Sequence, residues 1–64
     1  MDVKISLKAA RINCGLRQID VAKHLDVSDR TICNWELGKP FPPSEMLFEM
    51  CELYHVPVNN IILR

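Results

Sequence analysis

Gln18–Lys39, QIDVAKHLDVSDRTICNWELGK, is the stretch on which the reading of the whole chain turns. Two short helical patterns flank a tight polar turn. The second begins cleanly at Ser28, whose hydroxyl can accept from the free backbone N–H groups of a first helical turn. Val27 just before it and Ile32 inside it occupy the two positions of a hydrophobic staple. At 3.6 residues per turn, Ile32 and Trp35 share one side. Arg30, Cys33, Asn34 and Leu37 share the other, with Asp29 at their leading edge. Gly38 supplies the left-handed residue that ends the helix.

An outer face with Asp, Arg and Asn near a helix N-terminus carries the groups that read base edges. Arg pairs with guanine, Asn with adenine, and Asp accepts from cytosine. Taken alone, the face fits an ordinary solvated helix better than a reader of DNA, so the flanking residues have to decide. Leu7 and Arg11 lie in a first helix, followed by Gly15-Leu16-Arg17-Gln18. Val21-Ala22, Leu25, Val27-Ser28, Thr31-Ile32, Trp35-Glu36-Leu37-Gly38-Lys39 and Pro42 come after. As a set, these residues resemble the Cro/cI-type helix-turn-helix family, also called XRE-type or lambda-repressor-like DNA-binding domains. The resemblance spans roughly residues 5 to 63.

That resemblance implies a single all-α domain of five helices, over about 6–14, 18–25, 28–37, 44–55 and 58–62, with the helix-turn-helix at its centre. It places base contacts at Asp29, Arg30 and Asn34, with Cys33 among them. Thr31 and Lys39 lie nearer the backbone, and Gln18 falls at the family's phosphate-contacting position, where free N–H groups also favour an anion. It further pairs Arg11 with Glu36, tying the first helix to the end of the third. Losing either partner of such a pair would strand a charge.

The chain departs from the family at two places. Arg17 stands where Thr, Ser or Asn is usual; it is a poor cap, and its charge opposes the positive helix end. Either a DNA phosphate offsets that cost or Arg17 is a plain surface residue, while Asp20 partly restores the balance. Asp26 stands in a turn where the family prefers Gly, and Asp tolerates the left-handed conformation at modest cost.

The remaining elements follow the apolar spacing. Met1 to Ile5 reads as frayed or loosely docked. Ser6 caps the first helix, whose inner stripe is Leu7, Ala10 and Cys14, and Gly15 ends it. Pro40, Pro42 and Pro43 stop the third helix. Ser44 opens the fourth, with Leu47, Met50, Cys51 and Tyr54 inward and Phe48 at the edge. Val56-Pro57 leads into a last short helix. Its Val58, Ile61, Ile62 and Leu63 are more apolar surface than one turn hides, and in the resembled repressors this region lies near a two-fold contact, so the four form a candidate dimer patch.

Composition bounds the rest. Sixty-four residues, 48% hydrophobic and 25% charged, make one folded domain; a chain of this size buries only about 60% of its unfolded surface. Net charge is zero, which counts against nucleic acid. Yet residues 1–32 hold six basic and four acidic side chains, against two and four in residues 33–64. Positive charge is thus concentrated in the half that would face DNA, and Glu45, Glu49 and Glu52 lie away from it. Cys14, Cys33 and Cys51 are too widely spaced for a zinc motif, and with no signal peptide or spanning segment they read as reduced thiols in a cytoplasmic protein. Cys33 is a small neutral residue beside the bases or, as the sharper alternative, a redox switch that would block the groove. His24 and His55 lack a partner at a catalytic spacing, and no cofactor, metal or enzymatic pattern is present.

The sequence therefore points to a transcriptional regulator, a repressor, that binds double-stranded DNA as a homodimer. The alternative is an antitoxin-like or other interaction module whose acidic fourth helix binds a protein partner.

Overall fold

The computed structural model describes residues 4–62. Among them are four α-helices: α1 (Leu7–Asn13), α2 (Gln18–Leu25), α3 (Asp29–Leu37) and α4 (Ser44–Tyr54). Local chemistry explains where each begins. Ser6 caps α1 by accepting from the Ala9 N–H at 3.1 Å, and Ser28 caps α3 by accepting from the Thr31 N–H at 3.1 Å. Pro43 precedes α4 and puts Ser44 at its first position.

All four helices end in one way. Gly15, Asp26, Gly38 and His55 sit at positive φ, between 58° and 74°. The residue after each sends its N–H back to a carbonyl five positions earlier: Leu16 to Arg11, Val27 to Ala22, Lys39 to Asn34 and Val56 to Cys51. This is the Schellman ending, which satisfies carbonyls the helix leaves open. Asp26 and His55 reach the same conformation as the glycines at some steric cost, since a Cβ disfavours left-handed backbone.

α3 packs chiefly on α2, and α4 packs on α2 and on the turn that follows α4. Val21, Ile32 and Met50 are fully buried at the centre, and Leu7, Ala10, Leu25, Trp35, Cys51 and Tyr54 surround them. Ile32 and Trp35 point inward from α3, and Leu37 stands out at 66% exposure. Ala22 is buried where α2 meets α3, and its small side chain allows the close approach.

Three expectations need correction, and a fourth is narrowed. The fifth helix is a single 3-10 turn, Val58–Asn60. Ile61 is then extended and bridges Ile5 in parallel fashion, with Ile5 N–H donating to Asn60 O at 2.7 Å and Ile62 N–H to Ile5 O at 2.9 Å. Pairing with the start of the chain competes with further helix and wins. By the same bonds Ile5 is docked, which decides between the two alternatives for the start of the chain; Met1, Asp2 and Val3 lie outside the described residues. On α1 the buried stripe is Leu7, Ala10 and Arg11, while Cys14 follows the helix and is exposed, its thiol donating to Tyr54 O at 3.2 Å. Phe48 is 58% exposed, because a position two residues before Met50 points some 200° away around the helix.

Candidate nucleic-acid interface

α3 presents its polar side along nine residues, about 13 Å of axis, close to the ~12 Å width of a DNA major groove. Asp29 and Arg30 at its start are exposed; Cys33 and Asn34 one turn later are half-buried. Asp29, Arg30 and Cys33 line an open recess together with Gln18 from the start of α2. The helix-turn-helix thus joins residues from two elements into one concave surface. Asn34, Thr31, Lys39 and Arg17 lie outside that lining. The Thr31 hydroxyl is engaged with the Ser28 hydroxyl at 2.8 Å, and Lys39 is exposed beyond Gly38.

Beneath the recess lies a charged anchor. Arg11 Nε donates to Glu36 Oε2 at 2.6 Å, its NH2 donates to Glu36 Oε1 at 3.3 Å, and its NH1 donates to the Leu16 carbonyl at 2.8 Å. The two side chains are only 10% and 3% exposed. The hydrogen bond to Glu36 raises the Arg11 pKa against the opposing effect of burial, so the guanidinium stays charged. Gln18 joins the same group, its Nε2 donating to Glu36 Oε1 at 3.0 Å. One carboxylate therefore ties α1, the start of α2 and the end of α3, and it holds in place the amide that lines the recess. Sequence reasoning missed the Gln18–Glu36 bond, since a contact across 18 positions leaves no local signal.

Arg17 is also occupied. Its Nε donates to Asp20 Oδ2 at 3.1 Å and its NH2 to Oδ1 at 3.0 Å, while its backbone N–H donates to Oδ2 at 2.8 Å. The Arg17 side chain drives the Asp20 carboxyl below its ordinary pKa, with the backbone bond adding to the effect. The local signal was present: Asp20 stands three residues after the cap, where an acidic side chain reaches back to the cap N–H.

Tyr54 is 2% exposed, and its hydroxyl lacks a hydrogen-bond partner among the described residues. Burial pushes the phenol pKa well up, and Glu36 adds to the shift. Burial likewise raises the Cys51 thiol. Of the apolar C-terminal residues, Ile61 is 5% exposed and belongs to the chain's own core, Val58 is half-buried, Ile62 is 38% exposed, and Leu63 lies outside the described residues. His24 and His55 meet Glu49, Glu52 and Leu53 around a second recess. Among the described residues no group of three donors is placed to hold a metal, and no helix is long and apolar enough to cross a membrane.

Comparison with known proteins adds one positive finding. A family model described as helix-turn-helix matches residues 7–60, from the start of α1 through the 3-10 turn. No curated protein matches the chain with significance. No solved structure does so either.

Proposed function

The chain belongs to the Cro/cI-type helix-turn-helix family, and from that premise we propose that it is a transcriptional repressor reading double-stranded DNA with α3 in the major groove. The observation that carries the reading is the recess of Gln18, Asp29, Arg30 and Cys33, where the start of α3 offers charged side chains without an ion-pair partner among the described residues. Asp29, Arg30, Cys33 and Asn34 face base edges in this arrangement. Arg17, Gln18, Thr31 and Lys39 meet the phosphates on either side. Gln18 has a second amide hydrogen left after its bond to Glu36, and Arg17 keeps its outer edge for an anion while paired with Asp20.

A two-fold dimer would set two copies of α3 in half-sites about one helical turn apart. Exposed Ile62 and half-buried Val58 supply apolar surface for it, continuous in sequence with Ile61 and Leu63. The test is Arg30→Glu, which reverses charge at an exposed site. DNA binding should be lost with the circular dichroism spectrum unchanged; undiminished affinity would refute the contact assignment.

A second reading has its own support in α4. Glu45, Glu49 and Glu52 are exposed there beside Phe48, and none of them has an ion-pair partner among the described residues. That surface suits an interaction module of the antitoxin kind, which would bind DNA weakly alone and form a stable complex with a partner protein.

A further inference from the structure

Three carboxylates lie within α2 and α3, and they are treated differently. Asp20 is held by Arg17 and Glu36 by Arg11 and Gln18. Asp29 has neither a hydrogen bond nor an ion pair among the described residues, although Arg30 is its neighbour and shares its recess. Adjacent positions on a helix do not face each other, so the two charges stay apart. Ser28 already caps α3, so the fold gives Asp29 only a favourable place beside the positive helix end, which any acidic residue would fill.

A free carboxylate is a poor choice for a surface whose purpose is to hold phosphates. Its charge cancels that of Arg30, so the recess as a whole adds little to counterion release. Its value lies in choice of base. A carboxylate can only accept, and the major-groove edges differ sharply in what they offer. Guanine presents two acceptors, thymine an acceptor and a methyl, adenine an acceptor beside its amino group, and cytosine an amino group with no acceptor. Only cytosine meets Asp29 without placing a lone pair against it.

Resting on the DNA-binding reading above, we propose that Asp29 is the specificity-determining residue of this domain, admitting cytosine at one fixed position of the half-site and rejecting the other three bases. It acts by exclusion. Guanine and thymine leave a desolvated carboxylate facing an acceptor or a methyl group, adenine offers its amino group only beside the N7 lone pair, and cytosine alone returns a hydrogen bond with no acceptor next to it. Arg30, a donor only, is matched to guanine. Asp29 therefore contributes to discrimination more than to affinity.

The experiment is selection from a random double-stranded DNA pool with the wild-type chain, Asp29→Ala and Asp29→Asn, followed by affinities for the enriched duplex and its single-base variants. The wild type should enrich sites with an invariant C·G pair and discriminate against substitutions there by roughly 5- to 100-fold. Asp29→Ala should lose that preference alone, binding the mismatched duplexes more tightly than the wild type does. Asp29→Asn, which keeps the shape, should shift the preferred base from cytosine to adenine. Circular dichroism would confirm that both variants are folded. If either folded variant kept the wild-type preference at every position, or if the wild-type site lacked an invariant C·G pair, Asp29 would not be the selector and DNA binding would stand. No enrichment at all by folded wild type would overturn both the proposal and the DNA-binding reading beneath it.

Discussion

Replacing Glu36 by Gln removes one charge and almost no volume, which makes it a sharp probe of the anchor beneath α3. Glu36 is 3% exposed and accepts from Arg11 at 2.6 and 3.3 Å and from Gln18 at 3.0 Å. A neutral amide there leaves the Arg11 guanidinium, itself 10% exposed, without its counter-charge. Stranding one member of a buried pair costs about 3–5 kcal/mol. A domain of this length has only about 3–10 kcal/mol of stability in total, so Glu36→Gln should be marginally folded at room temperature. Urea unfolding followed by Trp35 fluorescence measures the loss. With a slope near 1 kcal/mol/M for so small a domain, the midpoint should fall by about 3 M or vanish into the baseline. A control separates lost charge pairing from lost packing. Arg11→Met combined with Glu36→Leu removes both charges at similar volume and should recover most of the stability, because burying an ion pair rarely beats apolar packing. If Glu36→Gln lost less than about 1 kcal/mol, the pair would be solvated and the account of how α1 is fastened to α3 would be wrong.

Further predictions follow from the same geometry. Asp20 has a carboxyl held below its ordinary pKa by Arg17, so its stabilising contribution is full above about pH 4 and is lost as the pH falls through the lowered folded-state value. The difference in urea midpoint between wild type and Asp20→Asn should therefore be flat from neutral pH down to that point and shrink below it; a gap that persisted to pH 2 would refute the cause assigned. Tyr54→Phe removes a buried hydroxyl that has no partner among the described residues, so it should leave the melting temperature unchanged or raise it, since an unsatisfied polar group costs about 1–3 kcal/mol to bury. A fall of several degrees would reveal a bond to that hydroxyl. Thiol labelling should modify exposed Cys14 and half-buried Cys33 in the native protein and spare Cys51 until unfolding, because Cys51 is buried and its thiol pKa is raised.

What was legible in the sequence was local. Three helix ends are written in one residue and its neighbours, Gly15, Gly38 and the substitute Asp26, and His55 closes the fourth in the same way, all at positive φ. Ser28 and the inward pair Ile32 and Trp35 were readable for the same reason, from spacing within one helix. The features that escaped are those decided by distant segments. Ile61 prefers a bridge to Ile5 over another helical turn, a choice settled across 56 positions. Arg11 belongs to the buried stripe of α1 because Glu36 and the Leu16 carbonyl satisfy it there. At the interface, the residue types of α3 were visible, but not which charges the fold had already engaged. Arg17 is held by Asp20 three residues on, as the position of that acid signals, whereas Asp29 looks like a helix-end charge and is left open to the recess.

The central claim is that α3 reads DNA, and selection of duplexes from a random pool at two salt concentrations tests it most directly. The account predicts an enriched inverted repeat with half-sites about one helical turn apart. Affinity should fall with salt with a logarithmic slope between about −2, if Lys39 alone meets phosphate in each protomer, and about −4, if Arg17 joins it. Folded protein that enriched no sequence would contradict the account and move the function to the acidic, Phe48-bearing face of α4.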